Sequence, residues 1–309
     1  MSIIESTPTE FKLIVQNPFS VFDSMDFSNL NSAKVDEVKY LIFHDGKKNR
    51  FGLVCGIIDG IMKAPFSAPY ACFSRISGDS KILNYSDAVK ELVEYARNKG
   101  LKKIRITLPP NVYDESHIAR VFNSLYVSGF RIAGCDLNYH YNLDNFNLQY
   151  EMSIDPKARQ KLRAAIKHDL KFQKTEDVKT VYEIIHQNRT AKGYPLWMSY
   201  QNVLDTIKVV KTDFFLIFSN KEAIASSIVY HCAPERAQVI YWGNKEGTDD
   251  LRAMNFLAYK SFEYYKERAF KFFDIGPSTE YSRPNFGLCD FKQSIGCDVS
   301  TKLTFELDL

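Results

Sequence analysis

The two halves of this 309-residue chain repeat each other, and a long-period internal repeat restricts the possible folds more than any single segment does. Tyr40-Leu41-Ile42-Phe43, followed by His44-Asp45-Gly46 and a second apolar run to Ile58, matches Phe215-Leu216-Ile217-Phe218, followed by Ser219-Asn220-Lys221 and a second run to His231. Both read as β-hairpins, because strand-forming runs are parted by a short polar turn. A helix over residues 87–98 leading into Leu101-Lys102-Lys103-Ile104-Arg105-Ile106 parallels a helix over 251–267 leading into Phe270-Lys271-Phe272-Phe273-Asp274-Ile275. Ser128-Gly129-Phe130 before a strand at 138–143 likewise parallels Ile295-Gly296-Cys297 before a strand at 299–307. The offset stays at about 170 residues, far longer than solenoid periods. The pattern predicts a tandem α/β duplication, with domain 1 over residues 1–150 and domain 2 over 151–309, each holding a mixed central sheet flanked by helices. Length agrees with two domains.

Composition removes several alternatives. At 45% hydrophobic and 14% aromatic residues the chain has the makings of a packed core and no disordered class signature. Residues 1–10 carry no basic region ahead of an apolar core, which argues against a signal peptide. The longest apolar run, 51–62, is interrupted by Asp59 and too short to span a bilayer. A cytoplasmic protein without a transmembrane segment is the expectation. The six cysteines are scattered without Cys-x-x-Cys spacing, so buried free thiols are expected rather than disulfides or a zinc site. Phosphate-loop, dinucleotide, zinc-protease and nucleophile-elbow spacings are missing, and the histidines sit singly; no metal is assigned.

The most informative stretch is 251–297. Met254, Leu257, Tyr259, Phe262 and Tyr265 recur at helical spacing, and Asp249 and Asp250 can cap the helix start. Residues 270–275 read as a buried strand that Gly276-Pro277 stops, leaving 278–290 as a polar loop at the strand's end. Asp274-Ile275-Gly276 and the run Gly287-Leu288-Cys289-Asp290-Phe291-Lys292-Gln293-Ser294-Ile295-Gly296 resemble the C-terminal end of the Fem-type peptidyltransferases and their relatives in the GNAT (N-acetyltransferase-like) superfamily. Ile295 stands where that family prefers Phe, and Cys297 where it often has Gly, which points to a diverged branch.

The resemblance implies tandem GNAT-like domains and an N-acyltransferase that passes an aminoacyl or acyl group to an amine, on a cell-envelope precursor of peptidoglycan or glycan type. Lys292, through the family's Phe-Lys motif, is then expected to assist the developing oxyanion from the cleft, so that its loss spares the fold. Its structural alternative is a salt bridge to Asp290 or Asp274. Glu280 is the expected proton acceptor, Tyr281 a donor, Arg283 an anion contact and Asn285 a further substrate contact, all on the loop after Gly276. Ordinary surface charge explains Glu280 and Arg283 equally well. In domain 1, Ser67-Ala68-Pro69-Tyr70 resembles the family's Ser-x-Pro-Tyr-Gly run near the acceptor cleft, with a turn around a buried Tyr as the rival reading. Arg189 and Lys192 end a helix that Gly193 and Pro195 close; they either face the cleft or simply favour the helix dipole.

The donor stays open between aminoacyl-tRNA and acyl-CoA, with no tightly bound cofactor expected. CoA-dependent GNAT enzymes hold pyrophosphate at the turn before the long helix; here that turn reads Gly243-Asn244-Lys245-Glu246-Gly247-Thr248-Asp249-Asp250, and two carboxylates there repel a pyrophosphate. Lys157, Arg159, Lys161, Arg163, Lys167, Lys171 and Lys174, read as one helix over 157–174 opposed only by Asp169, offer a surface for tRNA or for peripheral membrane contact, or form a solvated face. Two other functions compete: a CoA-dependent N-acetyltransferase on an amino sugar, and a non-catalytic module that binds an anionic ligand.

Overall fold

The computed structural model describes residues 1–78 and 81–309. In chain order the elements are β1 (Ser2–Ser6), α1 (Pro8–Ile14), α2 (Met25–Leu30), β2 (Glu37–His44), β3 (Asn49–Ile58), β4 (Ile61–Ala64), β5 (Ser74–Arg75), α3 (Ile82–Asn98), β6 (Lys103–Thr107), α4 (Glu115–Val127) and β7 (Arg131–Asn142). Then follow α5 (Tyr150–Ser153), α6 (Pro156–Lys167), β8 (Lys171–Thr175), α7 (Val178–Ala191), α8 (Tyr200–Thr206), β9 (Thr212–Ser219), β10 (Glu222–Ala233), β11 (Arg236–Asn244), α9 (Ala253–Lys266), β12 (Phe272–Pro277), β13 (Thr279–Glu280), β14 (Arg283–Pro284), α10 (Phe286–Ser294) and β15 (Asp298–Asp308). The chain forms two compact units, 1–136 with 300–309, and 137–299. A single cut at residue 150 therefore does not describe them, because 137–150 belong with the second unit and 300–309 with the first.

Each unit has the same strand order. In unit 1, β1, β2, β3, β4, β6 and the C-terminal β15 are neighbours in sequence of pairing; in unit 2 the order is β8, β9, β10, β11, β12 and the later part of β7. The predicted hairpins are present as antiparallel ladders, Tyr40 opposite Val54 and Ser227 opposite Phe215. The parallel step recurs as well, β4 with β6 and β11 with β12, and so does the antiparallel last pair, β6 with β15 and β12 with β7. The duplication is thus a repeat of connectivity in which each unit's last strand comes from the other half of the sequence.

Why the helices cover these sheets follows from their apolar faces. In α3 the buried Tyr85, Ala88, Val89, Leu92, Val93 and Ala96 recur every three to four residues. In unit 2, α9 lays Leu257, Ala258, Phe262 and Tyr265 against Phe273, Ile275 and Tyr141, with the Tyr141 and Phe262 rings stacked 4.2 Å apart. Several helix boundaries differ from the sequence reading, α3 beginning at Ile82 rather than at 87. The basic helix ends at Lys167, where Asp169 takes a left-handed conformation, and Lys171 and Lys174 lie on β8. The stretch expected to be a loop to Asp290 becomes α10 at Phe286, because the Asn285 side chain accepts the Leu288 N–H and caps it.

All six cysteines are free, five of them buried. Among the described residues no helix is long and apolar enough to cross a membrane.

Candidate functional site

The site of interest in unit 2 lies where β11 and β12 part. They pair in parallel only over Arg236–Gln238 and Phe272–Asp274. Beyond that point β11 bulges, since Val229 faces Val239 and Ile228 faces Tyr241, leaving Ile240 as the extra residue. On the other side the β12–β7 register breaks between Asp274 and Pro277. The strand ends therefore separate, and their backbone groups need other partners.

Lys292 supplies them on the β12 side. Carried on α10 and only 2% exposed, its ammonium donates to the carbonyls of Ile275 at 2.8 Å, Gly276 at 2.8 Å and Pro277 at 3.0 Å. Those three bonds use all the protons an ammonium has. It also lies 5.5 Å from the centre of the Tyr139 ring. Burial pulls its pKa down to about 8, opposed by the charge of Asp274. Asp274 is buried too, and its carboxylate accepts the Asn138 amide at 2.9 Å and the Gly276 N–H at 2.7 Å. Gly276 has φ +74°, a left-handed backbone that glycine adopts without strain. Where the sequence allowed a salt bridge to Asp290 or Asp274, the three hydrogen bonds of the Lys292 ammonium go to backbone carbonyls, and the lysine holds the splayed strand end.

Outside this buried bracket stands the β13–β14 hairpin. Glu280 pairs with Arg283 across it, and its turn is Tyr281-Ser282, with φ +48° and +65°. Two positive φ values at the centre of a two-residue turn are the type I′ geometry, which normally selects Asn or Gly. A bulky residue there is held against its preference. Glu280 and Arg283 are exposed, and Tyr281 is 92% exposed. Asn285 links this hairpin to the end of α7, donating its side-chain amide to Tyr194 Oη at 3.2 Å. Arg189 belongs to the same group: its Nε donates to Pro195 O at 2.8 Å, and its guanidinium lies over Tyr241 at 5.2 Å and Tyr194 at 5.9 Å. Lys192 is the C-cap of α7, and Gly193 with φ +68° ends the helix as its sequence predicts.

Unit 1 holds the other two expected residues. Tyr70 is fully buried, edge-on to Phe22 and Tyr113 at 5.2 Å each. Ser67 donates to Asn31 Oδ1 at 3.0 Å and accepts from Lys34 Nζ at 2.7 Å, beside a depression lined by Phe27, Val54, Phe66 and Ala71. Nearby in the same unit, Asp23 is buried with the Ser20 hydroxyl at 2.6 Å and the Cys72 N–H at 2.8 Å, and desolvation raises its pKa to about 7.

The turn before α9 differs from the expected cap. Asp249 accepts the Asn244 amide at 2.9 Å within a 3₁₀ turn, and α9 begins after Arg252, whose backbone is left-handed and whose side chain caps nothing. The basic stretch is also more engaged than its sequence suggests, for Arg163 pairs with Glu151 at 2.8 Å and Lys174 with Asp213 at 2.6 Å. Sequence reasoning gave no site role to Asn138, Tyr241 or Ser278, and read Asp274 only as part of the family motif and as a possible partner of Lys292. Ser278 is buried at the foot of the hairpin with its hydroxyl unpartnered among the described residues. A lone carboxylate inside the apolar run Phe272-Phe273-Asp274-Ile275 was the available signal.

This architecture, two units of one GNAT-type topology in tandem, is the tandem GNAT-like α/β fold. No family model and no curated protein sequence matches the chain. Among solved structures it is similar to FemX, at TM-score 0.72 and 12% identity over 100% of this chain and 98% of that one. It is also similar to the L-PGS from Bacillus licheniformis, at TM-score 0.60 and 15% identity over 97% and 92% of the two chains. A tandem GNAT protein from the clavulanic acid biosynthesis pathway aligns at TM-score 0.53 and 10% identity over 99% and 98%. At such identities the likeness concerns the fold.

Proposed function

We propose that this protein is an N-acyltransferase that passes an aminoacyl or acyl group to an amine acceptor on a cell-envelope precursor. The parting of β11 and β12 carries the reading. Acyl transfer builds negative charge on a carbonyl oxygen, and preorganised backbone N–H groups facing that oxygen stabilise the transition state most where water is excluded. The bulged edge of β11 at Val239–Tyr241 is the place for those donors. Opposite it, Lys292 and Asp274 fix the β12 end, so Lys292 acts as a positioning residue rather than as the cation at the oxyanion.

Glu280, on the hairpin that overhangs this end of β12, accepts the proton of the attacking amine, and Tyr281 donates from the turn. Arg283 and Lys192 attract the acceptor's anionic groups, while Asn285 and the stacked Arg189 order the rim. Within unit 1, Ser67 is the substrate contact through its hydroxyl, which lies between Asn31 and Lys34, and Tyr70 is a buried support behind it.

The test offers charged tRNA or acyl-CoA as donor and nucleotide-linked muropeptide or amino sugar as acceptor, with transfer of labelled acyl group as the readout. Transfer from charged tRNA to the muropeptide is expected. A second reading, CoA-dependent acetylation of an amino sugar, draws on the first turn of α9, which no side chain caps. Asp249 and Asp250 stand one turn upstream and oppose a pyrophosphate there. CoA should accordingly bind with a Kd on the order of 1 mM or weaker; micromolar binding by calorimetry would put the second reading first.

A further inference from the structure

α5 and α6 of unit 2 carry none of the residues named at the opening between β11 and β12. Between Pro156 and Lys167, α6 presents Lys157, Arg159, Lys161, Arg163 and Lys167 with no acidic residue. Its buried face is Ala158, Leu162 and Ala165, so the cations share the remaining arc. Arg163 pairs with Glu151 on α5, while Lys157, Lys161 and Lys167 have no ion-pair partner among the described residues.

Aliphatic side chains stand in water beside this charge. Leu148 is completely exposed, Met152 is 63% exposed and Ile166 is 45% exposed. Arg159 ties Met152 to α6, reaching its Sδ at 3.7 Å and its O at 3.4 Å, while Ile166 lies on α6 itself and Leu148 stands two residues before α5. The aliphatic tip and the basic helix are thus one surface. We propose that this face docks the protein on an anionic lipid bilayer, with the lysines at the headgroups and Leu148 and Met152 in the interfacial layer.

The pairing of charge with aliphatic groups selects a membrane over a nucleic acid. Phosphates of RNA would satisfy the lysines, but single-stranded bases are taken up on aromatic rings, and this face exposes none on α6. An exposed leucine and methionine gain by leaving water for acyl chains, and cations within a Debye length of an anionic leaflet are attracted in proportion to their number. The inference goes beyond acyl transfer and does not depend on it.

Co-sedimentation of the full chain with vesicles tests it without any turnover. Binding is expected to vesicles of phosphatidylcholine with phosphatidylglycerol, not to phosphatidylcholine alone, and to weaken as salt rises. The triple variant Lys157→Ala, Lys161→Ala, Lys167→Ala should reduce partitioning roughly a hundredfold, about fivefold per cation. Leu148→Ser with Met152→Ser should reduce it roughly tenfold at unchanged charge. All five positions are exposed, so melting curves should not move, and a variant that melts early is replaced by Lys157→Gln, Lys161→Gln, Lys167→Gln. Absence of binding to the anionic vesicles at low salt overturns the proposal. Binding that ignores the Leu148 and Met152 pair overturns it as well, as does tRNA binding that the lysine variant abolishes while vesicle binding is unaffected by either variant.

Discussion

Unit 1 and unit 2 share one strand order, yet only unit 2 opens its sheet. In unit 1 the parallel step runs through four register pairs from Ile61–Lys103 to Ala64–Ile106, and β6 continues into five unbroken pairs with β15. Even past the strand, Leu108 N–H donates to Leu303 O at 2.9 Å. In unit 2 the matching step stops after three pairs, the partner strand bulges, and the next ladder breaks. By the repeat of sequence, Thr107 corresponds to Gly276 and Arg105 to Asp274. Arg105 leans outward onto Glu306, whereas Asp274 turns inward to hold the Gly276 N–H. A site on a duplicated fold is thus created by a few local departures from ladder pairing, and the intact copy shows what those departures removed.

Breaking the lysine bracket should have the largest effect. Lys292→Met keeps the length of the side chain but leaves three buried carbonyls without their donor, for a loss of about 3–5 kcal/mol by denaturant unfolding. The comparison sharpens if Thr107→Ala in unit 1, which removes a hydroxyl contact to Thr304 at 2.9 Å, changes stability by about 1 kcal/mol or less. If Lys292→Met unfolds no more easily than the parent protein, the positioning role is lost. Glu280→Gln comes next: turnover should fall about 10²-fold or more with melting unchanged, because the side chain is exposed and the effect is on proton transfer. An unaltered rate would remove Glu280 from the chemistry.

Two buried carboxylates extend the comparison to pH. In unit 2, desolvation of Asp213 is outweighed by His231 at 2.7 Å, Lys174 and Tyr265 at 2.8 Å, which hold its carboxyl below the usual range. A lowered folded pKa adds stability that is present above the unfolded value and lost as pH falls through the folded one, so this contribution begins to decline at about pH 4 and is lost progressively at lower pH. Asp23 of unit 1 behaves oppositely. Its pKa is raised to about 7, so the unfolded chain releases its proton first and stability declines as pH rises from about 4 toward 7. Asp23→Asn, which keeps an acceptor for the Cys72 N–H, should therefore raise stability at pH 8 by about 2 kcal/mol and change little at pH 4. A variant equally stabilised at both pH values would show that the gain is not electrostatic.

Features fixed by near neighbours in the chain were legible from sequence. The two hairpins follow from apolar runs around short turns, and the end of α7 follows from Gly193 and Pro195. What escaped depends on partners far along the chain or on a turn without its usual residues. Tyr281-Ser282 contains no glycine to announce a type I′ hairpin, so 278–290 reads as loop. Lys292 looks like a free cation until the strand end at 275–277 is folded against it. The exchange of β7 and β15 is invisible because each is a good strand wherever it pairs, and periodicity specifies a face, not a neighbour.

A substitution at Gly276 isolates the backbone of the opening itself, with a smaller effect than Lys292→Met. Gly276 sits at φ +74°, and a Cβ there would meet Val239 O at 3.9 Å, an ordinary distance, so space is not the constraint. Gly276→Ala should cost about 1–2 kcal/mol from left-handed strain alone. It should also leave the bonds from Lys292 intact, since they accept at carbonyls that the methyl group does not touch. If the strand relaxed to φ < 0 to relieve that strain, the Gly276 N–H would leave Asp274 and the end of β12 would rejoin the β11 ladder, giving unit 2 the closed form of unit 1. Amide hydrogen exchange separates the outcomes: protection at Gly276 that survives substitution means the opening is held by its side chains, and new protection along Val239–Tyr241 means the glycine was holding it open.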